Sequence, residues 1–399
     1  MLSPQSRPYI DATVAVLREH GVAITRTFYK NMFEAHPELT NLFNMGNQAS
    51  GVQQQSLAAA VFAYAANYAD PGVLAPVVSR IVHKHVSVGI RADHYPIVGH
   101  HLLGAIQETL GEAATPPLIA AWGEAYGLLA DALIAEEKSL YEKLHTFPGE
   151  LKNMRLIEVQ TQSESVNSFV LQPLDESQNL AFLPGQYISV AVDFPDGQRQ
   201  LRQYSLSDAP GKNTLRISIK RQPAAAENPA GRVSNWMHDN WRVGDILPVS
   251  AACGDFTPDT ESEKPIVLLS AGIGVTPMIS VVNRIAQIHP ERSVIFGHAT
   301  RNRHHHSHRA DIAAAQAIMP NLKVVIFYED CAEVADENIC AGYMTLDKLP
   351  AWKYSATDVC ICGPLPFMQL QWQNLIAAGA PNSHLHREIF GPEMLDYLP

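Results

Sequence analysis

Near residue 147 the periodicity of the chain changes, and a single hydrophobic core cannot serve both sides of that change. Before it, segments 22–35, 51–69, 74–88, 96–112 and 117–144 carry apolar residues at helical spacing, such as Leu102, Leu103 and Ile106, or Leu128, Leu129, Leu133 and Ile134. No β-type alternation stands out, so this part reads as all-α. The segment HTFPGELKN at 145–153 carries a Pro-Gly break that suits a linker. From 154 to about 255 come short β-rich runs (MRLIEV, SFVL, QYISVAV, TLRISIK, ILPVS) separated by turn-type segments, the pattern of a small antiparallel barrel. From about 264 the apolar strands PIVLLSA, SVIFGHA, LKVVIFY and DVCICG alternate with helical stretches at 276–288, 307–318 and 365–378. That alternation predicts a parallel sheet wound with helices.

The expected fold class is therefore multidomain, α and α/β. An all-α domain spans 1–146, an antiparallel β-barrel 150–260 and an α/β parallel-sheet domain 261–399. A chain of 399 residues exceeds what one core normally organises. No repeat at solenoid periods is visible.

A formal charge of −11 with no basic stripe argues against a nucleic-acid partner. The N-terminus lacks an apolar core of signal-peptide type, and no stretch approaches the roughly 20 apolar residues of a membrane helix. A cytoplasmic location is expected. Cys253, Cys331, Cys340, Cys360 and Cys362 have no zinc-like spacing and read as free thiols in a reducing compartment. The run RNRHHHSHR at 301–309 follows a strand end and precedes a helix, which predicts a solvated loop without a native ligand.

His85 stands in an otherwise apolar helical segment, IVHKHVSV at 81–88. His83 and His85 lie about 200° apart on a helix, so at most one faces a given pocket. By itself either is a surface or satisfied residue more often than a ligand. The run FYKNMFEAHPEL, then LFNM, then Gln53 and Leu57 one turn apart, then Lys84-His85, resembles the globin family. The likeness covers about 1–144 and is closest to the globin half of flavohaemoglobins. It implies that His85 is the proximal haem ligand, that Phe43 packs on the haem and that Lys84 belongs to the haem pocket. It places Tyr29, Gln53 and Leu57 on the distal side, with Tyr95 and Glu137 in a network behind His85. The plain alternatives are that Tyr29 is a core aromatic and Glu137 a surface charge. Glu136 and Glu137 differ by about 100° around a helix, so only one points inward.

A second resemblance lies in PGQY at 184–187, RQYS at 202–205 and GRVSNW at 231–236, in that order. Together they look like the FAD-binding barrel of the ferredoxin reductase family. Arg202 would face the flavin pyrophosphate, where a guanidinium suits paired negative charges. Gln203, Tyr204 and Ser205 would line the flavin, and Tyr187 the adenine or ribose side. Gly231, Val233 and Ser234 would offer backbone N–H groups to phosphate at a helix start.

After the strand PIVLLSA, the turn Gly272, Ile273, Gly274, Val275, Thr276, Pro277 has the spacing G-x-G-x-x-P that reductases of this family use for the nicotinamide nucleotide. Cys362, Gly363 and Pro364 resemble the family's CGP turn beside the nicotinamide, although Cys362 also reads as the end of a buried strand. The closing segment Glu388, Ile389, Phe390, Gly391, Pro392 matches the family's flavin-facing tail. Arg387 and Ile389 depart from its usual Tyr and Cys.

Nicotinamide gives up a hydride and haem iron takes single electrons, so a flavin must mediate. The resemblance implies haem b, FAD and NADH or NADPH, and an activity that converts nitric oxide and O₂ to nitrate. It implies a monomer without stable membrane association and leaves open a lipid in the distal pocket. The rival readings are a gas sensor, for which no output domain is visible, and a plain flavin reductase, which would leave the globin half unused. Neither NADH nor NADPH is favoured: Arg301 and Arg303 fit a 2′-phosphate or a simple basic loop equally.

Overall fold

The computed structural model describes residues 1–175, 180–224, 229–330 and 338–391; Cys331 and Pro392 lie outside them. The chain divides into two compact units. One holds Met1–Leu151, Ala191–Arg202 and Gly391; the other holds Lys152–Val190 and Gln203–Phe390, each among the described residues.

The first unit is built on α1 (Arg7–Ala35), α2 (Met45–Ala49), α3 (Val52–Asn67), α4 (Pro71–Val88), α5 (His94–Leu110) and α6 (Pro116–Lys143). The helical spacing expected from residue 22 extends back to Arg7, straight through Gly21. There the missing side chain lets α3 approach: a Cβ would stand 3.3 Å from Ala58 Cβ. Ile10, Ile24, Phe28, Met32, Leu102, Ile106 and Trp122 form the core between α1, α5 and α6.

By length and composition alone α6 is long and apolar enough to cross a membrane. Its apolar positions Leu118, Ala121, Trp122 and Ala125 belong to the core. Its Glu124 accepts from the hydroxyls of Ser3 at 2.7 Å and Ser6 at 2.5 Å.

The strands then follow: β1 (Lys152–Ser163), β2 (Val166–Pro173), β3 (Tyr187–Asp193), β4 (Arg199–Ser205), β5 (Leu215–Lys220), then α7 (Arg232–Asn240) and β6 (Ile246–Val249). They form one sheet in the order β4-β3-β6-β1-β2-β5, with β1 antiparallel to both β2 and β6 and β2 antiparallel to β5. The motif RQYS sits on β4, a strand that its polar composition concealed.

The last part runs β7 (Ile266–Ala271), α8 (Val275–Ile288), β8 (Val294–Thr300), α9 (Arg309–Ile318), β9 (Leu322–Tyr328), β10 (Ile339–Ala341), β11 (Asp358–Cys362), α10 (Leu365–Ala377) and β12 (Leu385–Glu388). Their order is β10-β9-β8-β7-β11-β12, parallel throughout. Strands β10 and β12, too short to show a period, were not evident in the sequence. The core packs α8 against the sheet through Val275, Met278, Ile279, Val282 and Phe296.

Within this second unit the two sheets are joined by buried polar groups. Arg216 on β5 pairs with Asp311 on α9 at 2.7 Å, and Ser280 and Asn283 of α8 donate to Asp208 at 2.7 and 3.1 Å.

The His-rich run departs from the solvated loop expected for it. His304 is exposed, but His306 and His308 are buried beside His298 of β8. The Nδ1 atoms of His306, His308 and His298 are engaged by Tyr328 Oη at 2.9 Å, Asp311 at 2.8 Å and Ser270 Oγ at 2.9 Å respectively. No cluster with metal-ligand geometry occurs among the described residues.

Burial, with Arg309 and His308 nearby, pushes His306 down to about 4, and burial with His306 and His308 pushes His298 well below the ordinary range. A histidine depressed in the folded state binds fewer protons folded than unfolded, so its contribution is complete above pH 6.5 and declines as pH falls toward 4. The midpoint of thermal unfolding, followed by circular dichroism, is therefore expected to fall between pH 6.5 and 5. The scale is about 2–4 °C per kcal/mol for a unit of this size. His306→Gln should flatten that slope. An identical slope in wild type and variant would exclude the buried histidines as its source.

Candidate functional site

Helix α4 delivers His85 through well-marked ends. Asp70 caps it, its side chain accepting from Gly72 N, and Gly89 at φ 81° closes it by returning its N–H to Val86 while Ile90 N–H reaches the His85 carbonyl. His85 thus sits in the last turn. Its Nδ1 lies 2.7 Å from Glu137 Oε1 and 3.2 Å from Tyr95 Oη. Tyr95 also donates to the same Glu137 oxygen.

Glu137 is 3% exposed, whereas Glu136 is on the outer face. A buried carboxylate facing the ring requires Nδ1 to carry the proton, which leaves Nε2 as the atom with a free lone pair. Burial and then the Glu137 hydrogen bond raise the Tyr95 phenol above its usual range, so it stays a donor. Tyr126 donates to the Tyr95 carbonyl at 2.6 Å and Tyr141 to the Ile90 carbonyl at 2.9 Å, fixing the backbone on either side. Gly99 is required here: a Cβ would come within 2.6 Å of the Tyr126 ring. Neither tyrosine belongs to a recognisable motif, and sequence reasoning missed both.

His83 does not join this network. Burial lowers its basicity, and so does Lys143. Lys84 donates to the Gly391 carbonyl, within the same unit.

On α1, Tyr29 is 5% exposed and packs against Phe28, Phe33 and Phe43, with centroids 4.8, 5.7 and 5.8 Å away. Gln53 Nε2 donates to its hydroxyl at 3.4 Å. Burial pushes the phenol up to about 12, against the pull of Gln53 and Gln48. Phe43 and Leu57 are half-buried against the same core. The sequence-predicted residues Tyr29, Gln53, Phe43 and Leu57 are therefore brought together. These groups fit a haem: one imidazole with a free Nε2, and one buried phenol that accepts a hydrogen bond but donates none among the described residues.

In the second unit, Ser205 ends β4 with its buried Oγ unpartnered. Such an orphan is rare in a folded protein and fits a hydrogen bond to an absent group. Tyr204 Oη lies 3.4 Å from Met237 Sδ, and Gln203 reaches Ser189 Oγ at 3.3 Å. Arg202, at the edge of the first unit, donates to Gln200 at 3.1 Å and to the Leu201 carbonyl at 2.7 Å. The Tyr187 ring lies on Gly254, where a Cβ would be 3.2 Å from it. Gly231 caps α7, Val233 is buried beneath it, and Ser234 Oγ donates back to Gly231 O at 3.2 Å. Gly231 makes room for Gln222 as well, whose side chain a Cβ at that position would meet at 2.8 Å.

The Gly272–Gly274 turn leads directly from β7 into α8, with Val275, Thr276 and Pro277 in its first turn. Gly272 adopts φ +55° in open space. Gly274 serves another purpose: a Cβ there would collide with the Cys362 carbonyl. Its absence lets the β7 turn touch the end of β11 at Cys362-Gly363. Glu388 of β12 lies in register with Cys362 and is buried, Ile389 is half-buried, and Phe390 is 45% exposed. Burial, reinforced by Glu388, raises the Cys362 thiol well above its usual range and keeps it neutral. Pro364 caps α10.

Three family models match, in chain order: globin over 26–133, oxidoreductase FAD-binding domain over 153–257 and oxidoreductase NAD-binding domain over 268–372. A flavohaemoprotein from Bordetella parapertussis is 46% identical, with 98% of this chain and 99% of that one covered. The chain belongs to the flavohaemoglobin family. A crystal structure of a flavohaemoglobin from Malassezia yamatoensis, with bound FAD and haem, is similar at TM-score 0.85 and 31% identity, covering 98% of this chain and all of that one. The FAD/NAD-binding domain of a nitric oxide dioxygenase from Vibrio cholerae matches 61% of this chain at 34% identity and TM-score 0.56, over its whole length. As a flavohaemoglobin, the chain uses haem, FAD and NAD(P)H, and it is an oxidoreductase that carries electrons among them.

Because Nδ1 of His85 meets Glu137, which leaves Nε2 for a ligand, His85→Ala is expected to abolish or severely weaken haem retention. His83→Ala should keep a normal Soret band. Haem titration of the two purified variants checks this, and equal loss in both would exclude His85 as the discriminating ligand.

Proposed function

We propose that this flavohaemoglobin is an NAD(P)H-dependent nitric oxide dioxygenase. Two molecules of nitric oxide and two of O₂ take the two electrons of one NAD(P)H and leave as two nitrates, NAD(P)⁺ and one proton. Haem, when bound, supplies an iron that takes single electrons and presents O₂ to nitric oxide. His85 would hold it through Nε2, while Glu137 and Tyr95 keep Nδ1 as the protonated nitrogen and make the imidazole a stronger donor.

The observation that carries the reading is Tyr29: a dry phenol with a proton to donate, opposite no protein acceptor among the described residues. A hydrogen-bond donor there stabilises negative charge as it develops on dioxygen in the pocket. Gln53 holds that phenol, and Phe43 and Leu57 exclude water around it.

In the same reading Arg202, Gln203, Tyr204 and Ser205 hold FAD, with Tyr187 at its nucleotide side and the α7 start, Gly231 to Ser234, on phosphate. Glu388, Ile389, Phe390 and Gly391 close the flavin site. The turn from Gly272 to Pro277 and the Cys362-Gly363-Pro364 turn receive the nicotinamide nucleotide. A neutral, buried Cys362 suits a position where a hydride passes without competing nucleophilic attack. The reading makes O₂ and nitric oxide the small-molecule substrates.

Aerobic NAD(P)H oxidation should rise sharply on adding nitric oxide, with nitrate formed at two per nucleotide consumed. Unchanged oxidation, or a product other than nitrate, would refute the activity. Within it, Tyr29→Phe keeps the ring and removes only the donor. Losing such a donor in a dry site costs about 3–4 kcal/mol. O₂ dissociation should accelerate by about two decades or more, and nitric oxide consumption should suffer most at low O₂. A stopped-flow off-rate changed by less than about threefold would make Tyr29 a core aromatic only.

A further inference from the structure

Strand β4 engages the globin before it reaches the flavin residues, and the contact lies wholly within the first unit. Gln200, 5% exposed, donates from Nε2 to the Thr40 carbonyl at 3.2 Å and accepts on Oε1 from Arg202 Nη1 at 3.1 Å. The two residues are two apart on one strand and so share a face. One position earlier, the Arg199 N–H donates to Asn41 Oδ1 at 3.4 Å, while its guanidinium pairs with Asp193 of β3 at 2.6 and 2.8 Å. Two successive residues of β4 are thus bonded to the 3₁₀ turn Pro37–Asn41.

That turn leads into the aromatic cluster around Tyr29. The Thr40 carbonyl that receives Gln200 also accepts from the Phe43 N–H at 3.4 Å, and the Phe43 ring lies 5.8 Å from that of Tyr29. Thr40 Oγ1 donates to the Pro37 carbonyl at 2.6 Å, which closes the turn on itself. A run of hydrogen bonds therefore passes from Arg202 through one amide to the backbone of Phe43. Its polarity is fixed, since the amide oxygen takes the guanidinium and the amide nitrogen takes the carbonyl. An apolar side chain of similar size would fill the same buried space without a polar group to desolvate, so packing alone does not call for glutamine here.

We propose that Gln200 is a positioning residue for electron delivery, holding Arg202 in fixed relation to the turn that carries Phe43. The inference rests on the reading of Arg202 as the residue on the FAD pyrophosphate, and it uses no property of nitric oxide. In the step it serves, NAD(P)H gives up two electrons and one proton, becomes NAD(P)⁺, and reduces two ferric irons to ferrous, one electron at a time. Gln200 acts through Arg202 and Thr40. It raises the population of one arrangement of the arginine against the globin turn, and without it that arrangement competes with others.

The test takes the full chain loaded with haem and FAD, mixed with NAD(P)H under carbon monoxide in the absence of O₂. In Gln200→Leu, bleaching of the flavin absorbance should keep its wild-type rate. Appearance of the ferrous carbon monoxide spectrum should slow by about two- to tenfold, the span of one neutral hydrogen bond. Hydrogen exchange of the peptide covering residues 37–44 should quicken in the same loaded protein, because the turn has lost an anchor. Gln200→Glu keeps the side-chain size and an acceptor for Arg202 but has no N–H for Thr40, so at neutral pH it should reproduce both changes.

Unchanged haem reduction and unchanged exchange in Gln200→Leu, with full cofactor content, would overturn the proposal. So would equal slowing of flavin and haem reduction, which would mark Gln200 as a structural residue of the barrel. Arg202→Ala with undiminished FAD affinity would refute the arginine's place at the flavin and the proposal with it, a result read by cofactor titration and so distinct from the other two. None of these measurements consumes nitric oxide, so their failure and the failure of the dioxygenase activity are separate results.

Discussion

The first unit is organised around one buried carboxylate. A charge with 3% exposure is tolerated only when its partners are complete. Glu137 of α6 satisfies that condition with Tyr95 of α5 and His85 of α4, so three helices are held in register by one oxygen. Removing either partner leaves that oxygen with one bond in place of two in a dry site, at about 1–3 kcal/mol for a bond to a charged group. The same bonds decide which nitrogen of His85 is protonated. Structural necessity and ligand chemistry here have a single cause, which is why the residues behind the imidazole matter as much as the imidazole.

Close approach plays the corresponding role in the second unit. Gly274 lets the turn after β7 meet the backbone of Cys362-Gly363 at the end of β11, and Glu388 of β12 lies beside Cys362. The ends of three neighbouring parallel strands are thereby drawn together, where ligands of such sheets bind. The glycine that the sequence suggests for a phosphate turn is demanded first by strand-to-turn packing.

The change of period at residue 147 was legible, because helical and β patterns differ in spacing and survive averaging over many residues. His85 was legible only with its sequence context, since an isolated histidine on an apolar helix is ambiguous. Tyr126 and Tyr141 were not legible at all. Their partners are backbone carbonyls that no short sequence motif encodes. The strand β4 was hidden by a polar run, RQLRQYS, whose Arg199 pairs with Asp193 and whose Gln203 reaches Ser189, contacts that no alternation of apolar residues announces. The His-rich run misled in the opposite sense. Its composition suggests solvent, yet Tyr328, Asp311 and Ser270 each supply a partner that lets a neutral imidazole be buried.

Two buried tyrosines in the first unit show how partner geometry separates scaffold from chemistry. Burial raises both phenols, so both remain protonated under any ordinary condition. Tyr95 sends its proton to Glu137, and its hydrogen-bonding capacity is used inside the protein. Tyr29 receives from an amide and has nowhere within the described residues to send its own. A buried hydroxyl left with a free proton costs stability unless something completes it. Evolution of a hydrophobic core would favour phenylalanine at such a position, where three aromatic rings already provide the packing. On the proposed reading the hydroxyl is completed by an acceptor from outside the chain, and dioxygen is an acceptor small enough for an aromatic-walled pocket.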